Sequence, residues 1–226
     1  MQRVIAIGDV HGCYEEFEIL LDRLDLHPQD RVIQLGDLVN RGPNSHRTVR
    51  TARQRGVEAI LGNHELRLIQ AHKSRNTKIL SADDLRSYKQ LTPADWKYLL
   101  SRPAWIEIPD YNIVCVHGGF LPDKPWQEQD VDMVAHVQMV DDRGQLRKRA
   151  DFPTLPFWAD LWAENTIGKP FVIYGHTPRK HLYPRNGSLG IDTGCVYGGA
   201  LTAYILPQKT ILQVPALKRY QESRHV

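Results

Sequence analysis

Five short clusters of polar residues anchored by glycine recur along the chain: Gly8-Asp9-Val10-His11-Gly12, Gly36-Asp37, Gly62-Asn63-His64-Glu65, His117-Gly118-Gly119 and Gly175-His176-Thr177. They offer two carboxylates (Asp9, Asp37), three imidazoles (His11, His117, His176) and one amide, Asn63. Mixed oxygen and imidazole donors suit borderline divalent metals such as Mn, Fe, Co or Zn. Six donors exceed the needs of one tetrahedral site. If one carboxylate bridges, the set divides between two metals, and two metals about 3.5–4 Å apart form the clamp used for in-line displacement at phosphorus. No thiolate belongs to the set, so a Cys-rich structural zinc site is not the reading.

Such a set works only if the chain gathers it at one place. Each cluster follows a short apolar run, and in open α/β sheets ligands bind beyond the carboxyl ends of the strands. Val4–Ile7, Arg31–Leu35 and Val57–Leu61 read as strands that stop at glycine. Between them, Phe17, Leu20, Leu21 and Leu24 fall at helical spacing, Pro43 suits the start of a helix running through Val49, and a helix follows from His64. Strand and helix alternate, which predicts β-α-β units on a parallel sheet. Two helical patterns divide near Thr92-Pro93 within Ser81–Ser101. Trp105–Ile108 and Asn112–Val116 read as paired strands across a Pro-Asp turn, and Phe120–Pro156 as loops and short helices. Phe171–Tyr174, Leu189–Ile191, Leu201–Leu206 and Thr210–Val214 complete the strands.

Composition narrows the field. The chain has 226 residues, 42% hydrophobic and 24% charged, with a net charge of +3. That balance excludes disorder and coiled coil, and it is too weak to argue for nucleic acid by itself. Cys13, Cys115 and Cys195 are odd in number and widely spaced, which fits a reducing compartment. No run approaches a membrane span, and Met1-Gln2-Arg3 leads straight into a run too short for a signal peptide. A cytoplasmic protein with no membrane association and no obligate protein partner is expected. One domain over 1–226 is expected, with cap inserts at about 71–102 and 121–160.

The blocks GDVHG, GDLVNRG, GNHE, HGG and GHT, in that order, resemble the calcineurin-like metallophosphoesterases of the phosphoprotein-phosphatase type. The likeness spans residues 4 to about 206. The stretch Asp192-Thr193-Gly194-Cys195-Val196-Tyr197-Gly198-Gly199, with Gly-His-Thr-Pro before it, is similar to the symmetrical bis(5′-nucleosyl)-tetraphosphatases and the ApaH-like phosphatases. The resemblance implies an α/β fold, a layered β-sandwich with helices outside and a dimetal site at the strand ends. It implies two divalent ions, Mn foremost, with Asp9 and His11 on the first, Asp37 bridging, and Asn63, His117 and His176 on the second. His64 would protonate the leaving oxygen, and Arg41 would grip the phosphate. A second arginine would come from Arg143, Arg147 or Arg149. Read on its own, Tyr197 is placed either to stack on a base or to pack beside Gly198-Gly199. The implied substrates are dinucleoside polyphosphates, nucleotide-capped RNA 5′ ends or polyphosphate.

One departure is informative. Protein phosphatases of this type carry Asp where this chain has Asn40. An amide brings no negative charge to hold a proton on His64. A serine alkoxide is a poor leaving group and needs that proton, whereas a phosphate leaving an anhydride depends on it less. Anhydride hydrolysis is therefore expected, with a protein Ser/Thr or Tyr phosphatase as the alternative and a polyphosphatase as a lesser one. Plainer roles account for other residues. Glu65 suits the positive end of a helix, Asp192-Thr193-Gly194 shapes a wall beside His176, and Cys13 and Cys195 pack. Histidines 27, 46, 72, 136, 181 and 225 receive no role.

Overall fold

The computed structural model describes residues 2–222; His225 lies outside them. Twelve strands form two five-stranded sheets and a two-stranded hairpin. The strands, in chain order, are β1 (Val4–Ile7), β2 (Arg31–Gln34), β3 (Glu58–Ala59), β4 (Trp105–Ile108), β5 (Ile113–Val116), β6 (Met139–Val140), β7 (Leu146–Arg147), β8 (Phe171–Tyr174), β9 (Tyr183–Arg185), β10 (Ser188–Gly190), β11 (Ala200–Leu206) and β12 (Thr210–Pro215). The helices are α1 (Tyr14–Arg23), α2 (Ser45–Gln54), α3 (Asn63–Ser74), α4 (Ala82–Gln90), α5 (Pro93–Leu100), α6 (Val131–His136) and α7 (Trp158–Glu164).

The first sheet runs β12-β11-β1-β2-β3 and the second β4-β5-β8-β10-β9. Strands β1, β2 and β3 are parallel, as the β-α-β pattern requires, with β11 and β12 added antiparallel at one edge. In the second sheet β5, β8 and β10 are parallel and β4 and β9 antiparallel. Alternation along a strand sends successive side chains to opposite faces. On β1, Val4 and Ala6 join Ile33, Ile113, Cys115 and Ile173 in a core between the sheets. Ile5 and Ile7 point the other way, into a core with Phe17, Leu20, Val49 and Leu68 of the helices. On β5, Val114 and Val116 turn to a third core with Trp158, Trp162 and Tyr174. Strands buried on both faces explain why these segments read as unbroken apolar runs.

Helix α2 starts at Ser45, two residues beyond Pro43, and β3 is only two residues long. Segment 71–102 holds the end of α3 with α4 and α5, and these pack on α2 and α3. Segment 121–160 holds α6, the β6–β7 hairpin and the start of α7. Among the described residues no helix is long and apolar enough to cross a membrane.

Candidate active site

Four turns leaving parallel strands deliver the predicted donors. Asp9 and His11 follow β1, Asp37 follows β2, His117 follows β5 and His176 follows β8; Asn63 opens α3 after β3. The turns are tight enough to put non-glycine residues in the left-handed region: His11 (φ 48), Asp37 (φ 58), Asn40 (φ 70), Arg41 (φ 67) and His176 (φ 66). Side chains avoid that region elsewhere, and such residues gather at functional sites. Two glycines make room for the carboxylates. A methyl group at Gly62 would collide with the carboxylate of Asp37, and one at Gly175 with that of Asp9.

The donors converge. His11 Nε2 lies 3.5 Å from Asp37 Oδ2 and 3.9 Å from Asp9 Oδ2. His117 Nε2 lies 3.4 Å from the same Asp37 oxygen and 3.1 Å from Asn63 Oδ1. Ligand atoms of Asp37, His117 and His176 fall within 4.8 Å of one another, as do those of His11, Asp37 and His64. Asp37 thus belongs to both groups, the position expected of a carboxylate shared between two ions. The second nitrogen of each key imidazole is anchored: His11 Nδ1 meets Val39 O at 3.0 Å, and His117 Nδ1 meets Leu35 O at 2.7 Å. Donation of Nδ1–H to a carbonyl turns the lone pair of Nε2 into the site, as metal-bound histidines require. The donor set fits two divalent ions.

The sequence profile of the calcineurin-like phosphoesterases matches residues 2–205. The chain belongs to this family. It is a metal-dependent hydrolase. A similar curated protein is the asymmetrical bis(5′-nucleosyl)-tetraphosphatase PrpE of Bacillus subtilis, 30% identical over 244 residues and 96% of both chains. A crystal structure provisionally assigned as a diadenosine tetraphosphatase superposes with a TM-score of 0.83 at 29% identity, covering 96% of this chain and 95% of the other. A cold-active protein-tyrosine phosphatase of a Shewanella species shares the fold at a TM-score of 0.63 and 18% identity, over 98% of this chain and 79% of its own. The matched tetraphosphatase carries the asymmetrical name, whereas the C-terminal motif resembles the symmetrical branch.

In this calcineurin-like phosphoesterase the site is rich in buried acid. Burial pushes Asp9 well above the ordinary carboxylate range, with Asp192 and Asp37 adding to the effect. Burial and Asp37 push Glu65 up to about 7, although N–H donors at Asp37 and Gly62 pull the other way. Asp192 rises to about 6, chiefly by burial. Burial alone would raise Asp37 too, but His117, His64 and His11 outweigh it and hold it well below the usual range. Crowded carboxylates of this kind are the environment that a bound cation relieves.

Arg41 and His64 also reach the cluster. Arg41 NH1 donates to His11 Nε2 at 3.0 Å, and its guanidinium lies 5.4 Å from the Tyr197 ring centre. The rings of His64 and His11 meet edge to face with centres 4.8 Å apart. Burial lowers His64 well below the ordinary histidine value. Asn40 Nδ2 contacts His64 Nδ1 at 3.0 Å. The contacts of Arg147 lie within its own segment: it pairs with Asp141 at 2.8 Å and sits over Phe152. The backbone N–H of Arg149 donates to Gln138, and its charge is felt by Arg179.

Several neighbours of the site have contacts that the sequence did not announce. Glu65 accepts from the N–H groups of Asp37 (2.7 Å), Val39 (3.2 Å) and Gly62 (3.0 Å), so it braces the turns that bear the ligands as well as starting α3. Asp83 accepts from the N–H of Arg41 at 2.6 Å. His136 brings its ring to 6.5 Å from that of His176. Arg179, two residues beyond Thr177, is half-buried over the Tyr183 ring at 3.6 Å. A basic residue after Gly-His-Thr-Pro was visible in the sequence, but nothing there showed that it would stack.

Proposed function

We propose that the protein hydrolyses a phosphoanhydride bond of dinucleoside polyphosphates, cutting diadenosine tetraphosphate off-centre to ATP and AMP. The off-centre cut follows the name of the B. subtilis relative. The observation that carries the anhydride preference is the amide of Asn40 beside His64. It supplies no charge to hold a second proton on the ring, so the site suits a leaving group that departs readily.

Asp9, His11, Asp37, Asn63, His117 and His176 would hold two divalent ions, with Mn as the working choice. When bound, such ions polarise the phosphoryl oxygens and acidify water near neutral pH. The chain's own groups do the rest. Arg41, already lying across His11, presents a planar fork to the phosphate. Tyr197 flanks it, placed to meet a base. His64 Nε2, buried and without a partner among the described residues, donates its proton to the departing oxygen. Arg149 is the stronger candidate for a second clamp, because Arg147 is already paired with Asp141. Nucleotide-capped RNA presents the same kind of bond and belongs in the substrate panel.

The test is hydrolysis with added Mn in wild type and Asp37→Asn. Loss of at least about a hundredfold in kcat is expected from removing a bridging ligand. Full activity in Asp37→Asn would refute the assignment of the site.

A further inference from the structure

The carboxylate missing from position 40 is present one step further away, on another element. Asp84, on α4, accepts from Asn40 Nδ2 at 2.8 Å, and the same nitrogen contacts His64 Nδ1 at 3.0 Å. Asp84 Oδ1 and His64 Nδ1 are themselves 3.9 Å apart. All three residues are buried. The other oxygen of Asp84 is taken by Arg67 NH1 at 3.1 Å and by the N–H and hydroxyl of Ser81 at 3.2 and 2.8 Å. Asp84 therefore stands as an acceptor in every bond it makes through its side chain.

That arrangement fixes which way the amide points. Reversing Asn40 would set its oxygen 2.8 Å from a carboxylate oxygen and leave an NH2 group without acceptors. The observed orientation leaves only Oδ1 unpaired among the described residues. An amide NH2 donates and cannot accept. The ring nitrogen facing it must then be the acceptor, and the proton of a neutral imidazole sits on the opposite nitrogen.

We propose that Asp84 is a positioning residue: through Asn40 it locks His64 into the tautomer that carries its proton on Nε2, the nitrogen left without a partner in the site. A carboxylate at position 40 would instead accept from Nδ1–H, and its charge would favour a second proton on the ring. The chain thus uses an acid at one remove to make His64 a neutral donor. The inference rests on the reading of His64 as the group that meets the leaving oxygen, but the tautomer itself can be observed without turnover.

The experiment is 15N NMR of the histidine ring nitrogens in the zinc-loaded protein, paired with a comparison of phenyl and p-nitrophenyl phosphate. Wild type should show a bare Nδ1 and a protonated Nε2 at His64. Asp84→Asn should populate the opposite tautomer, and kcat for phenyl phosphate should fall at least about threefold further than for p-nitrophenyl phosphate, with KM held. Should Asp84→Asn fail to fold, the exchange Asn40→Asp with Asp84→Asn preserves shape and pairing, and it should place a proton on His64 Nδ1, which is bare in wild type. A protonated Nδ1 in wild type, or a tautomer unchanged in the exchanged pair, overturns the proposal. An Nε2 tautomer in a protein that cleaves no anhydride would leave the lock intact and refute the functional reading instead.

Discussion

At the scale of single residues, an amide donates to the ring of His64 where a carboxylate would accept from it. Asn40→Asp adds a charge that favours the doubly protonated ring, with Nδ1–H on the new carboxylate and Nε2–H toward the leaving oxygen, so it should raise phosphopeptide turnover relative to anhydride turnover by about tenfold, a fraction of full general acid help. Because Asp84 lies beside position 40, the cleaner comparison also carries Asp84→Asn. Steady-state rates on a phosphopeptide and on diadenosine tetraphosphate give the ratio, and an unchanged ratio would contradict the argument. The donor residues that the fold gathers were legible because each sits beside a glycine after an apolar run. Asp84 was not legible. Ser81-Ala82-Asp83-Asp84 spells a helix cap, and it forms one, with Ser81 and Asp84 exchanging bonds at the start of α4. The bond to Asn40 spans 44 residues, and no local pattern announces it.

Elements hold the site by their ends. Helix α5 begins with Thr92 capping Asp95, and Asp95 in turn receives the ring of His46 from α2 at 2.9 Å. Burial would raise the Asp95 carboxyl, but the bonds from Thr92 and His46 outweigh it and hold it below its ordinary value. A carboxyl depressed on folding stabilises the folded state above the unfolded pKa, and that contribution is lost as pH falls through the folded value. Asp95→Ala should cost about 1–2 kcal/mol at pH 6 through the lost carboxylate half of the capping box and the lost bond to His46. The gap between variant and wild type should shrink below about pH 4. Urea unfolding across that range checks it; a gap that widens in acid would contradict it. The boundary between α4 and α5 was readable at Thr92-Pro93, because proline suits the first turn and threonine the cap. Helix α7 and strand β9 were not. Trp158–Glu164 is apolar on several sides because it is buried in the third core, and Tyr183–Arg185 is an edge strand with a central proline.

Across the whole molecule, the two sheets meet at the site. Asp9 and Asp37 leave strands of the first sheet, while His117 and His176 leave strands of the second. A cation bound among them ties the sheets together and favours only the folded state. At metal about a hundred times its dissociation constant the gain is about 2.7 kcal/mol, or roughly 5–10 °C for a chain of this size. Mn should raise the melting temperature of the chelated protein by that amount, and His117→Ala should abolish the rise. An equal rise in the variant would mean that the ion binds elsewhere. The parallel order of β1, β2 and β3 could be read from alternation with helices. The order of the second sheet could not, since α6, the β6–β7 hairpin and α7 lie between β5 and β8, β9 lies between β8 and β10, and no repeated β-α-β pattern announces their parallel pairing.

The central claim is that this site cleaves anhydrides in preference to esters. Its most direct test is chromatography of the products formed by the Mn-loaded protein from diadenosine tetraphosphate, beside phosphate release from a phosphopeptide at the same concentration. ATP and AMP in equal amounts, formed far faster than phosphate from the peptide and absent with Asp37→Asn, is the predicted result. Faster release from the phosphopeptide would contradict the account, and would mean that the neutral donor at His64 is sufficient for esters as well.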